Sequence, residues 1–190
     1  MAEIVNPAYA KKSTIAAIHK HLTAEGSVQL RSFFTSEAYA TITKEIHHAH
    51  YVRKRQPLKG SFAAATISRP LRKILASPEF IRSVGSYLGK KATTIDGEFI
   101  CLTWRDYTVL HDDIAPTAGT DVIIDCTEGW DSSWGGGVVY TDGAGNTVTI
   151  KASPNALILA TSAYGMMRFF QYTNHYAQGK MRYLFVGKVL

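Results

Sequence analysis

The chain has 190 residues, 46% of them hydrophobic and 19% charged, which suits one domain with one sizeable core. Its formal charge of +6 favours an acidic or phosphate-bearing neighbour and says nothing about the fold. The first ten residues carry no apolar signal-peptide core and no apolar run reaches the length of a membrane span, so a cytoplasmic protein without a membrane partner is expected.

Residues 1–12 read as a loose arm. Residues 13–25 form a short helix, with Ile15, Ile18 and Leu22 three and four apart and Gly26 as its stop. Residues 28–33 alternate as a strand. Thr35 or Ser36 caps the next helix, which runs through Tyr39, Ile42 and Ile46 to about residue 49. It ends in His47, His48 and His50, of which only 47 and 50 share a helix face, so the cluster reads as a solvated, cation-rich helix end. Arg53-Lys54-Arg55 is a basic run without interleaved aromatics, and a nucleic-acid partner is not expected. Residues 56–68 read as an irregular loop that folds over a site. Helices follow from Arg69-Pro70 and from Ser77-Pro78-Glu79, the latter with a cap, a first-turn proline and an acid in place, and with Gly89 as its stop. The first half is therefore expected to be mostly helical, with one strand.

After Lys91 the pattern changes to short strands: residues 98–104, 107–110, 121–127, 135–140, 146–151, 156–160, 168–173 and 182–190. Asp142-Gly143 and Gly145-Asn146 are hairpin signals. Cys101 and Cys126 lie in apolar segments and read as buried free thiols, with a single disulfide as the alternative. Many short strands behind a helical flank give an α+β fold, a double-stranded β-helix or cupin-like jelly roll with the N-terminal helices packed on one sheet. One domain is expected over 1–190, with 1–91 as the flank and 92–190 as the β-helix core.

The run Tyr107-Thr108-Val109-Leu110 leads into His111-Asp112-Asp113. Residues two apart on an extended chain point the same way, so His111 and Asp113 can reach one metal ion together. They are two of the three ligand types of a 2-His-1-carboxylate Fe(II) site. A solvated turn after a strand is the alternative.

These residues, together with Trp130-Asp131-Ser132-Ser133-Trp134-Gly135-Gly136 and Pro154-Asn155-Ala156-Leu157, resemble the Fe(II)- and 2-oxoglutarate-dependent dioxygenases of the prolyl-hydroxylase type, in particular the ribosomal-protein prolyl hydroxylases. Leu30-Arg31-Ser32-Phe33-Phe34 and Ser77-Pro78-Glu79-Phe80 are similar to lead-in elements of that family. The resemblance implies a non-haem iron hydroxylase with Fe(II), 2-oxoglutarate as cosubstrate, O2, and ascorbate as a candidate accessory. It implies a second histidine ligand and a basic residue after it. His175 is the remaining histidine downstream of His111, and Arg182 would fork onto the distal carboxylate of 2-oxoglutarate. The resulting set is His111, Asp113 and His175 for metal and catalysis, with Arg182, Tyr107 and Thr103 for the cosubstrate. Trp104 is a further pocket candidate. Trp130 and Trp134 shape the rim or pack beneath the glycine turn, and Asn155 reads as a turn residue. The interval from 175 to 182 is 7 residues, shorter than in the family, whose spacing would put the ligand near Phe170 to Tyr172, where Gln171 stands. The substrate implied is a prolyl or other amino-acid residue of a protein, met by residues 51–68. The alternatives are a free amino acid as substrate, or a catalytically degenerate jelly-roll binding module.

Overall fold

The computed structural model describes residues 3–56, 60–109, 119–142, 144–162 and 167–190. Helix α1 (Lys12–Glu25) buries Ile18 and Leu22, which lie one turn apart. It stops at Gly26, whose left-handed φ of 70° favours glycine. Strand β1 (Ser27–Leu30) is followed by α2 (Ser36–His47), where Thr35 Oγ1 accepts the amide of Ala38 as the cap. The capped starts of α3 (Arg69–Leu75) and α4 (Pro78–Leu88) are as expected: Ser68 and Ser77 accept the amides of Leu71 and Phe80.

Two expectations for the first half are corrected. Residues 60–66 are not loop but β3 (Gly60–Thr66), paired in a hairpin with β2 (Val52–Gln56), so the first half holds three strands. Its small residues misled the reading: Ala63, Ala64 and Ala65 are buried where the sheet is covered on both faces. The N-terminal arm is not loose. The Glu79 carboxylate accepts the amides of Ile4 and Val5, and Val5 bridges to Phe34 and is buried. An acid in the first turn of α4 thus complements its own helix and ties down the arm.

The second half supplies β4 (Ile95–Leu102), β5 (Tyr107–Thr108), β6 (Gly119–Asp125), β7 (Val138–Thr141), β8 (Thr147–Ile150), β9 (Ala156–Ser162), β10 (Met167–Phe170) and β11 (Arg182–Val189). They form two antiparallel sheets. The larger runs β1-β9-β6-β11-β4-β3-β2 with β5 on β3, and the smaller runs β10-β7-β8. This is the two-sheet jelly roll with a helical flank.

Strand parity sorts the core. On β6, Val122 and Ile124 face the helices with Phe33, Phe80, Phe99 and Phe185. Ile123 faces the smaller sheet with Leu184, Ile158 and Tyr140. The central strands of the larger sheet, such as β6 and β9, thus bury both faces, which accounts for near-continuous apolar runs such as 156–160. Cys101 and Cys126 are both buried free thiols. Among the described residues no helix is long and apolar enough to cross a membrane.

Candidate ligand site between the sheets

His111 and Asp113 lie outside the described residues. The strand leading to them is firmly placed. Strand β5 pairs with β3, and Thr108 Oγ1 accepts the amide of Phe170 at 2.8 Å, which ties β5 to β10. Just before β5, the buried Asp106 carboxylate accepts the amide and hydroxyl of Thr103 at 2.8 and 3.0 Å and the hydroxyl of Ser61 at 3.1 Å. Arg53 from the edge strand β2 closes this cluster by an ion pair to Asp106. Part of the basic run is therefore structural, and Lys54 likewise pairs with Glu98 at 2.7 Å.

Two guanidinium–carboxylate pairs stand between the sheets. Both carboxylates come from β6, where Asp121 and Asp125 share the inward face of Ile123. Arg168 on β10 lies opposite Tyr140 on β7 and contacts Asp121 Oδ2 at 2.8 Å. The Tyr140 hydroxyl donates to the same oxygen at 2.9 Å. Burial first and the Asp121 carboxylate second push the Tyr140 hydroxyl well above its ordinary range. Burial is the largest influence and acts to lower the Arg168 pKa, but Asp121 and Tyr140 together outweigh it and the net shift is upward.

Arg182 opens β11 and is 1% exposed. Its Nη1 donates to the carbonyl of Gly136 and its Nη2 to Asp125 Oδ2 at 3.2 Å, while Nε has no hydrogen-bond partner among the described residues. Burial pulls the guanidinium below its ordinary pKa, and Asp125 offsets only part of that. Asp125 is held on its other sides by the amides of Thr127 at 3.0 Å and Ser153 at 2.8 Å. The Gly136 carbonyl is set by the Trp-Gly-Gly turn. Trp130 Nε1 donates to the Gly135 carbonyl at 3.0 Å, and its ring meets Trp134 edge-on at 5.3 Å. Gly135 has φ 81°, and a Cβ there would strike the Tyr172 carbonyl, so no other residue fits. A cleft of about 340 Å³ reaches Arg182 past Ser132, Ser133, Lys151 and Gln171.

The remaining candidates fall elsewhere. His175 sits in an exposed 3-10 turn (His175–Ala177) between β10 and β11, capped by Asn174, with its ring on that of Tyr176 at 4.0 Å. Thr103 is engaged by Asp106, and Tyr107 is 38% exposed with its ring 6.2 Å from Tyr172. Trp104 stacks under the Arg105 guanidinium at 4.2 Å. His47 packs on Tyr183 at 4.5 Å, and His48 Nδ1 lies 2.7 Å from the Lys44 carbonyl. Asn155, at φ 54°, binds both backbone groups of Phe34 and ties the post-β1 segment to the body. Among the described residues no three His, Cys, Asp or Glu side chains gather as a metal set. Sequence reading passed over Arg168, Asp121 and Asp125. The available signal was two acids four apart on an otherwise apolar strand.

No family model and no curated protein matches the chain. Solved structures do. A prolyl-4-hydroxylase from Pseudomonas putida superposes with a TM-score of 0.72 at 13% identity, over 92% of this chain and 97% of its own. An oxidoreductase of the 2OG-Fe(II) oxygenase family from Burkholderia pseudomallei gives 0.74 at 13%, over 100% and 96%. A prolyl hydroxylase from Trichoplax adhaerens, solved with a peptide fragment of the oxygen degradation domain of hypoxia inducible factor, gives 0.72 at 15%, over 94% and 89%. The chain has the fold of the Fe(II)/2-oxoglutarate oxygenases.

The oxygenase fold implies a ferrous ion and 2-oxoglutarate, and the residues here can be tested against both. Arg182 has the right donors for a dicarboxylic acid, a planar fork at the end of a cleft. The carboxylate on that fork is Asp125, however, which also accepts the amides of Thr127 and Ser153. Asp125 engages Nη2 and the Gly136 carbonyl engages Nη1, which leaves Nε as the donor without a partner among the described residues. On β10, the strand beside β5, the inward polar side chain is a guanidinium, which has no lone pair to give a metal.

Proposed function

We propose that this chain is a binding module built on the oxygenase fold, one that keeps the jelly roll and the His111-x-Asp113 run but does not carry out hydroxylation. The observation that supports this reading best is Arg168. It points from β10 into the space between the sheets, is paired with Asp121 and Tyr140, and stays charged. An open iron site needs three protein ligands, and a guanidinium has no lone pair to serve as one. The surface placement of His175 argues the same way.

A second reading is favoured by the intact His111-x-Asp113 spacing directly after β5. In it the chain is an Fe(II)- and 2-oxoglutarate-dependent hydroxylase. His111, Asp113 and His175 hold iron, and Arg182 with Tyr107 and Thr103 holds the cosubstrate. The substrate is a prolyl or other amino-acid residue of a protein, or a free amino acid.

One assay separates the two. Purified protein is given Fe(II), ascorbate, O2 and 2-oxoglutarate, and succinate is measured. The binding-module reading expects no succinate above the level of the Asp113→Ala variant. Asp113-dependent succinate would overturn it in favour of the hydroxylase.

A further inference from the structure

The Arg182–Asp125 pair has the composition of a bound ligand and its anchor. A buried guanidinium takes one carboxylate through Nη2 and a carbonyl through Nη1, keeps Nε without a partner among the described residues, and lies at the inner end of a polar cleft. Lys151, Ser132, Ser133 and Gln171 line that cleft, an array that suits a small organic anion. The carboxylate on the guanidinium comes from the neighbouring strand and not from the cleft. Leu184, two residues along β11, pairs with Asp125 on β6, so the main-chain register delivers the Asp125 side chain beside Arg182. The amides of Thr127 and Ser153 then fix its orientation.

We propose that Asp125 is a built-in carboxylate ligand of Arg182, closing from within an anion site that would otherwise take the carboxylate of a small acid entering by the cleft. Arg182 cannot shed its charge, and a buried cation must be paired, so any group that replaces the Asp125 carboxylate has to be an anion of similar size. The proposal concerns the arginine alone and requires no metal, so it can fail while the binding-module reading stands.

The test is rescue by formate, which is the size of the carboxylate removed in Asp125→Ala. Metal-free wild type, Asp125→Ala, Asp125→Asn and the double variant Asp125→Ala/Arg182→Met are melted with increasing formate, against chloride at equal ionic strength. The expected result is a saturable rise of about 5–10 °C in Asp125→Ala. Wild type and the double variant should show no specific rise. Where Asp125→Ala does not fold alone, its refolding yield in formate against chloride reads the same event. Asp125→Asn keeps the side-chain volume and is titrated with succinate; a gain of about tenfold or more in affinity over wild type is expected. Absence of any formate response in Asp125→Ala, together with unchanged succinate affinity in Asp125→Asn, would overturn the proposal. Wild type binding succinate as tightly as Asp125→Asn through Arg182 would overturn it too, and would restore Arg182 as an open cosubstrate anchor.

Discussion

At the scale of single residues, charge burial decides the character of the interior. Removing one member of a buried ion pair strands the other without water, which costs about 3–5 kcal/mol. Asp125→Asn is therefore expected to lower unfolding free energy by about that amount in urea titrations, because Arg182 is 1% exposed. Asp121→Asn should cost less, since Arg168 keeps 28% of its side-chain surface and can be partly rehydrated. The thiols give an independent reading of the same interior. Burial, with Asp106 adding to it, pushes Cys101 up to about 11, and burial raises Cys126 well above its ordinary value. Only the thiolate reacts. Neither should react with a disulfide reagent at pH 8 in the folded protein, and both should react in urea. Rapid labelling of the native protein would contradict their placement.

At the scale of elements, local chemistry sets the boundaries and tertiary ties set the register. The Ser77 cap of α4 is worth about 1 kcal/mol, and Ser77→Ala should lose about that in chemical denaturation. These starts and stops were legible because caps, first-turn prolines and a left-handed glycine act within a few residues. Strand β3 was not legible, because an alanine-rich strand buried on both faces shows no alternation to read. Nor was the docking of the N-terminal arm. It depends on Glu79, 74 residues away from Val5, and no pattern within the arm announces it. The candidate site divides the same way. Arg182 and the Trp-Gly-Gly turn were picked out through the family resemblance, which rests on residue type and order. Asp125 was read only as a strand position, since its meaning comes from the β6–β11 register. His175 was picked out by residue type, but its surface turn is set by the path from β10 to β11.

For the whole molecule, the two faces of the larger sheet carry different burdens. The helical face is apolar and holds tyrosines with buried hydroxyls; burial pushes Tyr39 and Tyr87 up to about 12. In the unfolded chain a tyrosine ionises near pH 10, about two units lower. The folded state keeps these protons where the unfolded state loses them, so their contribution is intact below about pH 10 and is lost as pH rises toward 12. Urea midpoints should accordingly be level from pH 8 to about 9.5 and fall steeply above, with Tyr87→Phe showing a shallower fall. The opposite face, between the sheets, holds two arginines matched to the chain's own aspartates.

The most direct measurement is an anaerobic Fe(II) titration by calorimetry of wild type, Asp113→Ala and His175→Ala. The account predicts that His175→Ala leaves Fe(II) affinity unchanged from wild type, because its imidazole lies in an exposed turn. A loss of about tenfold or more in both variants would contradict it and would make the three side chains one iron site.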